Sequence, residues 1–170
     1  MPGIGNETLQ AQRHEAGLDA GDEDHLELPR EVLVTVMKKH QRYFAVEDAD
    51  GNLLPYFIAV RNGDGEHLDK VTHGNEHVIR ARFSDAAYFY QKDTERPLCD
   101  YLPRLGTLTF QEQLGSMLDK NNRVERLVPA VAELLGLDNT ERQTAETAAR
   151  MAKADLATQM VVEMTSLQGT

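Results

Sequence analysis

Lys38, Lys39, His40 and Arg42 are followed at once by Tyr43 and Phe44. Cations hold phosphate oxygens and aromatic rings stack on unpaired bases, so a cluster of this kind can grip RNA. Arg80 and Arg82 are candidates to extend it. The bland explanation of the same charges is a solvated helix end. His73 and His77 are four apart, a spacing that brings two ligands to one helix face. Gly74-Asn75 predicts a helix cap between them, which places His73 outside that helix, and no third ligand is near. A surface or capping role follows.

Asp119 and Asp155 invite comparison with metal-dependent phosphohydrolases of the HD type. Such a metal pair needs a His-Asp dipeptide with flanking His and Asp, because several nitrogen and oxygen ligands must converge. The chain has no His-Asp dipeptide and no histidine after His77. Asp119 therefore reads as a helix cap and Asp155 as a helix-packing or polar-network residue. Cys99 has no histidine near it in sequence and reads as a half-buried, inert thiol. There is no GxxxxGK[ST] or GxGxxG phosphate cradle. These readings predict no catalytic residue and no metal ligand.

Composition agrees with a folded scaffold. The chain has 170 residues, 41% hydrophobic and 27% charged, with a formal net charge of −10. That suits a folded domain, not a disordered chain or a general nucleic-acid coat. No apolar run approaches the ~20 residues that cross a bilayer. The start of the chain lacks the basic and apolar regions of a signal peptide. A single cysteine excludes a disulfide framework and fits the cytoplasm. Residues 1–27 hold seven acids against one base, with few large apolar side chains. Such a stretch buries too little surface to offset its ordering entropy and predicts an acidic, disordered arm.

The elements that position these groups follow from periodicity. Leu28-Pro29-Arg30-Glu31 opens a helix, with Pro at the first helical position and apolar Val32, Leu33, Val36 and Met37 behind it. Residues 43–46 and 53–60 predict a β-hairpin, turned by Asp48-Ala49-Asp50-Gly51-Asn52. Ile79, Phe83, Ala86, Ala87 and Tyr90 make the stripe of a long helix beginning at Asn75. From Phe110 onward the pattern is helical only, over residues 111–118, 120–135 and 141–164. Pro129 should kink or split the second of these. Gly136 suits a C′ position, and Thr140 with Gln143 suits a capping box. The fold class is α+β. An α+β module at 28–105, with a hairpin and a long helix, precedes a helical region at 106–170. Neither repeats nor low-complexity segments occur.

Several stretches together resemble the bacterial glycyl-tRNA synthetase beta subunit family. They are LPREVLVTVMKKHQRYF at 28–44, DADGNLLP at 48–55 and GNE at 74–76 leading to VIRARF at 78–83. Further on come DAAYFY at 85–90, LPRL at 102–105, FQEQLGS at 110–116, Asp119-Lys120 and AKADLATQMV at 152–161. These matches lie in order across residues 28–169. The resemblance implies an α2β2-type ligase of alpha and beta chains that charges tRNA with glycine, using ATP and magnesium. It implies that the alpha chain carries the class II catalytic core. The beta chain then contributes tRNA-binding domains, one of them helical and HD-like. The present chain reads as an internal piece of such a subunit, with a truncated HD-like region at 106–170. No family catalytic residue falls on it, and no cofactor is expected in the fragment itself.

The expected partners are the alpha subunit and tRNA. An apolar face left uncovered in a fragment also favours a dimer of the fragment. The alternatives are an HD-type metal-dependent phosphohydrolase, or a protein-interaction module that binds no RNA, to which the net charge and the acidic arm point.

Overall fold

A computed structural model of the chain describes residues 9–15, 28–62 and 65–170. The α+β class expected from the sequence is what the backbone shows. The chain groups into two compact units, Met1–Tyr90 and Gln91–Thr170, a division earlier than the expected change near residue 105.

In the first unit, helix α1 runs over Arg30–Gln41. Its Val32, Leu33, Val36 and Met37 are buried, so the 3.6-residue stripe prevails over the strand preference of its β-branched residues. Pro29 stands at the N-cap rather than one position later, and its carbonyl accepts the Val32 N–H at 2.9 Å. Arg42 ends the helix in the left-handed region at φ 56°, and the Tyr43 N–H donates to the Met37 carbonyl at 3.0 Å. Strands β2 (Phe44–Glu47) and β3 (Leu53–Asn62) form the expected antiparallel hairpin. The Asp48 carboxylate closes its turn by accepting the backbone N–H of Asp50 and of Asn52, and Gly51 sits at φ +85°.

Strand β1, Leu9–Glu15, pairs antiparallel with the other edge of β3, giving the order β1-β3-β2. The expectation of a disordered arm does not extend to these residues. A ladder is made by main-chain groups and needs no large apolar side chains, which is how a largely polar stretch can join a sheet. The rest of that arm, residues 1–8 and 16–27, lies outside the described residues.

Helix α2 spans Leu68–Thr94, starting before the expected Asn75. Once nucleated by its apolar part the helix propagates at low cost through the polar His73–His77 stretch, with Asp69 favourable in the first turn. Ile79, Phe83 and Ala86 are buried as the stripe predicts.

The second unit opens with a 3₁₀ stretch at Leu98–Thr107. The helix expected over 111–118 is instead a tight hairpin of β4 (Thr109–Gln111) and β5 (Gly115–Ser116). The Gln111 side-chain carbonyl accepts the N–H of Gln113 and of Leu114, which turns the chain before a helical turn can form. Helix α3 then runs unbroken over Met117–Leu134, through Pro129. Gly136 terminates it at φ +66°. Helix α4, Asn139–Met151, is capped by Asp138 with Glu141, not by Thr140 with Gln143. The predicted helix over 141–164 is broken after α4: Lys153 adopts φ 69°, a 3₁₀ turn covers Ala154–Ala157, and α5 spans Gln159–Glu163. The Thr158 hydroxyl caps α5 by accepting the Val161 N–H at 3.3 Å.

Candidate nucleic-acid interface

The C-terminal end of α1 delivers Lys38 and Lys39 to solvent, and the left-handed Arg42 turns the chain directly into β2. The two aromatic residues at this corner then divide. Tyr43 stacks on the fully buried Phe57, with ring centroids 4.5 Å apart, and burial pushes its phenol above the ordinary value. Phe44 points the other way and is 60% exposed.

Between α1 and β2 lies an open cleft of about 500 Å³, lined by Val34, Lys38, Arg42, Tyr43, Phe44, Ala45 and Glu47. Its lining is mostly apolar, with cations at the margin. Glu47 is ion-paired to Arg30, which neutralises the cleft's carboxylate. Lys38 and Arg42 form no ion pair among the described residues. The local field is therefore positive on a chain whose net charge is −10.

Of the predicted RNA-binding residues, the structure brings Lys38 and Arg42 to one cleft. Lys39 is exposed on the same helix end but does not line it. Arg80 and Arg82 are exposed on α2, outside the cleft lining, and Arg82 pairs with Asp85 at 3.7 Å. The His40 side chain lies outside the described residues. Sequence reasoning missed Glu47 and its pair with Arg30; nothing in local spacing links residues 17 apart.

The other candidates fall elsewhere. His73 and His77 both lie on α2, so the expected cap between them is absent, and both are exposed. Among the described residues no three His, Cys, Asp or Glu side chains are grouped to hold a metal. Asp119 is the third residue of a capping box with Ser116. Hydrogen bonds from the Ser116 hydroxyl and backbone N–H hold its carboxyl below the usual carboxylate range. Asp155 accepts the Gly169 N–H at 2.8 Å. Cys99 is exposed, not half-buried, with its thiol 3.7 Å from the Asp100 carboxylate. The side of that 3₁₀ stretch turned to the core carries Tyr101 and Leu105 instead.

A second surface feature lies along α3. Val124, Leu127, Val131, Leu134 and Leu135 follow helical spacing on α3, yet all are exposed, Leu134 by 86%. The buried side of α3 is instead marked by Asn121 and Ala132. Asn121 donates to the Arg150 carbonyl of α4 at 2.9 Å, and Glu125 pairs with Arg150 at 3.1 Å. No helix among the described residues is long and apolar enough to cross a membrane.

Comparison with known proteins places these features in context. Residues 20–170 match the sequence profile of a family described as glycyl-tRNA synthetase beta subunit. The glycine–tRNA ligase beta subunit of Synechocystis is 51% identical over 148 residues, covering 87% of this chain and 20% of that protein. The corresponding subunit of Desulforudis audaxviator is 50% identical over 147 residues, covering 86% and 21%. That of Gloeothece citriformis is 49% identical over 151 residues, again covering 86% and 21%. The chain thus spans about a fifth of the length of the curated relatives it matches.

Proposed function

The chain belongs to the glycyl-tRNA synthetase beta subunit family, and from that premise we propose that it is a non-catalytic part of a cytoplasmic glycine–tRNA ligase that binds tRNA. The observation that carries this reading is the positive corner at α1 and β2, where the unpaired cations Lys38 and Arg42 flank an exposed aromatic ring. Lys39, Arg80 and Arg82 add exposed positive charge on α1 and α2. Phosphate contacts of this type supply affinity and register without chemistry.

Glycylation of tRNA with ATP and magnesium takes place, on this reading, in an alpha subunit. That neither group is held by this chain is part of the same reading, which is supported by the lack of a grouped metal-ligand set among the described residues and of a phosphate loop in the sequence. The test is a gel shift of tRNA with the intact chain, paired with an aminoacylation assay. A retarded tRNA band and no glycyl-tRNA from the chain alone are expected. Absence of any shift refutes the tRNA role, and turnover without an alpha chain refutes the division of labour.

A second role, in assembly, is favoured by the exposed stripe on α3. Contiguous apolar surface rarely faces water unless a partner covers it. The proposed partner is the alpha subunit, with a dimer of the fragment as the outcome when no other partner is present. Co-purification of alpha chain with the intact chain, lost on Leu127→Lys, tests it.

A further inference from the structure

We infer that the cleft between α1 and β2 holds one unpaired nucleotide, its base on Phe44 and its phosphate at Lys38 and Arg42. This rests on the reading that the corner binds RNA and goes further, because it states which form of RNA enters and how.

Three observations lead there. First, the cleft has about 500 Å³ of room, within the range of roughly 300–1,000 Å³ that small ligands fill. Second, the two adjacent rings are treated differently. Both line the cleft, but Tyr43 is used by the core through its stack on Phe57, whereas Phe44 leaves 60% of itself in water. An exposed ring in a concave site offers a face to another ring. Third, the two lining cations carry no ion pair among the described residues, which suits a phosphate. Lys38 and Arg42 are one helical turn apart in sequence and lie at the margin, while Glu47 is already held by Arg30.

An A-form duplex cannot satisfy this site. Its bases are stacked on each other and its major groove is too narrow for side chains, so it offers Lys38 and Arg42 phosphates but offers Phe44 nothing. A single strand, a loop or an overhanging end delivers both a phosphate and a free base face. Stacking is tolerant of base identity, since every base has a π-face. The site therefore selects strandedness, not sequence. An extended acidic peptide is the competing occupant, because β2 is an edge strand in the order β1-β3-β2. It would meet the cations and the strand edge but would gain little from an aromatic floor.

The experiment uses the intact chain and three fluorescent probes: a mixed-sequence single-stranded RNA, a blunt-ended RNA duplex of equal phosphate number, and polyglutamate. Phe44→Leu is the variant; its ring is mostly in solvent, so the fold should survive, and circular dichroism checks this. We expect Phe44→Leu to weaken the single strand about five- to a hundredfold, the range of a lost base–aromatic stack, and to change duplex affinity less than twofold. A 2-aminopurine placed in the single strand should lose fluorescence on binding the unchanged chain and regain it with Phe44→Leu. Equal losses on single strand and duplex, or no quenching, overturn the nucleotide site while leaving RNA binding standing. Polyglutamate bound as tightly as the single strand, with the same dependence on Phe44, overturns it in favour of a peptide. Failure of both RNAs to bind removes the underlying RNA reading as well.

Discussion

The Asp93 carboxylate accepts the backbone N–H of Met160 at 2.7 Å, across 67 residues of sequence. Its other oxygen accepts the Gln159 N–H at 3.0 Å, and the Tyr101 hydroxyl donates to Asp93 as well, at 3.2 Å to the carbonyl and 3.3 Å to the side chain. One side chain thus supplies an anion to the start of α5, where N–H groups lack intrahelical partners. Met160 and Val161 are buried just beyond, so this contact also fixes the apolar side of α5. Asp93→Ala should lower stability by about 1.5–3 kcal/mol, the range for hydrogen bonds to a charged group. Asp93→Asn, which keeps an acceptor, should cost less. Urea unfolding followed by far-UV circular dichroism measures both, and equal stability of all three proteins would show that Asp93 does not hold α5.

The Ser116–Asp119 capping box predicts an acid-sensitive component of stability. Asp119 is held below its ordinary value, first by the Ser116 hydroxyl. A folded-state value below the unfolded one means that the stabilisation is present above the unfolded carboxylate value, near about 3.9, and is lost as pH falls through the folded value. Asp119→Asn removes the charge at every pH. The gap in unfolding midpoint between the natural chain and Asp119→Asn should therefore be open at neutral pH and close below about pH 4. A gap independent of pH would assign the effect to packing. The preceding Gly115 sits at φ +83°, and a Cβ there would lie 2.5 Å from the Asp119 carboxylate oxygen. Gly115→Ala should thus disturb the same cap through sterics, with no pH signature.

Local determinants were legible and distant ones were not. Helix α1 could be read from Val32, Leu33, Val36 and Met37, and the hairpin from Asp48 and Gly51, because each signal lies within the element it forms. The break between α4 and α5 could not. Its cause includes Asp93, which lies far upstream and competes for the N–H groups of Gln159 and Met160. The β4–β5 hairpin was missed because two- and three-residue strands are too short to show alternation. At the candidate site, Lys38, Arg42 and Phe44 were visible because they are nearly contiguous. Their separation from Arg80 and Arg82, and the neutralisation of Glu47 by Arg30, depend on tertiary structure.

Phosphate binding by the α1 corner has a salt signature. Each phosphate neutralised by a cation contributes roughly 0.7 to the slope of log affinity against log salt for a single strand. Lys38→Gln with Arg42→Gln should flatten that slope by about one phosphate contact, and Lys38→Gln alone by less. Gln at position 42 keeps a side chain in the left-handed region, so the cost of the φ 56° conformation is unchanged between variants. Titrations of tRNA by fluorescence anisotropy at several salt concentrations read the slope directly. Lower affinity with an unchanged slope would mean that the substitutions act through folding rather than through phosphate.

The α3 stripe predicts association that depends on concentration. Leu127 and Leu134 are 63% and 86% exposed, so neither contributes much to the core of its own unit. Replacing both by charged residues should leave unfolding within about 0.5 kcal/mol, as for surface positions generally. The same change removes the apolar area that drives contact between faces, an area-proportional effect of roughly 25 cal/mol per Å² before the losses of association are counted. Light scattering coupled to size exclusion should therefore show the natural chain growing in mean mass with concentration, and Leu127→Lys with Leu134→Glu remaining monomeric. Added alpha subunit should compete for the natural chain's face and dissolve the self-associated species. A natural chain that stays monomeric at every concentration, and whose capture of alpha subunit is unaffected by the double substitution, would show that the stripe is not an assembly surface.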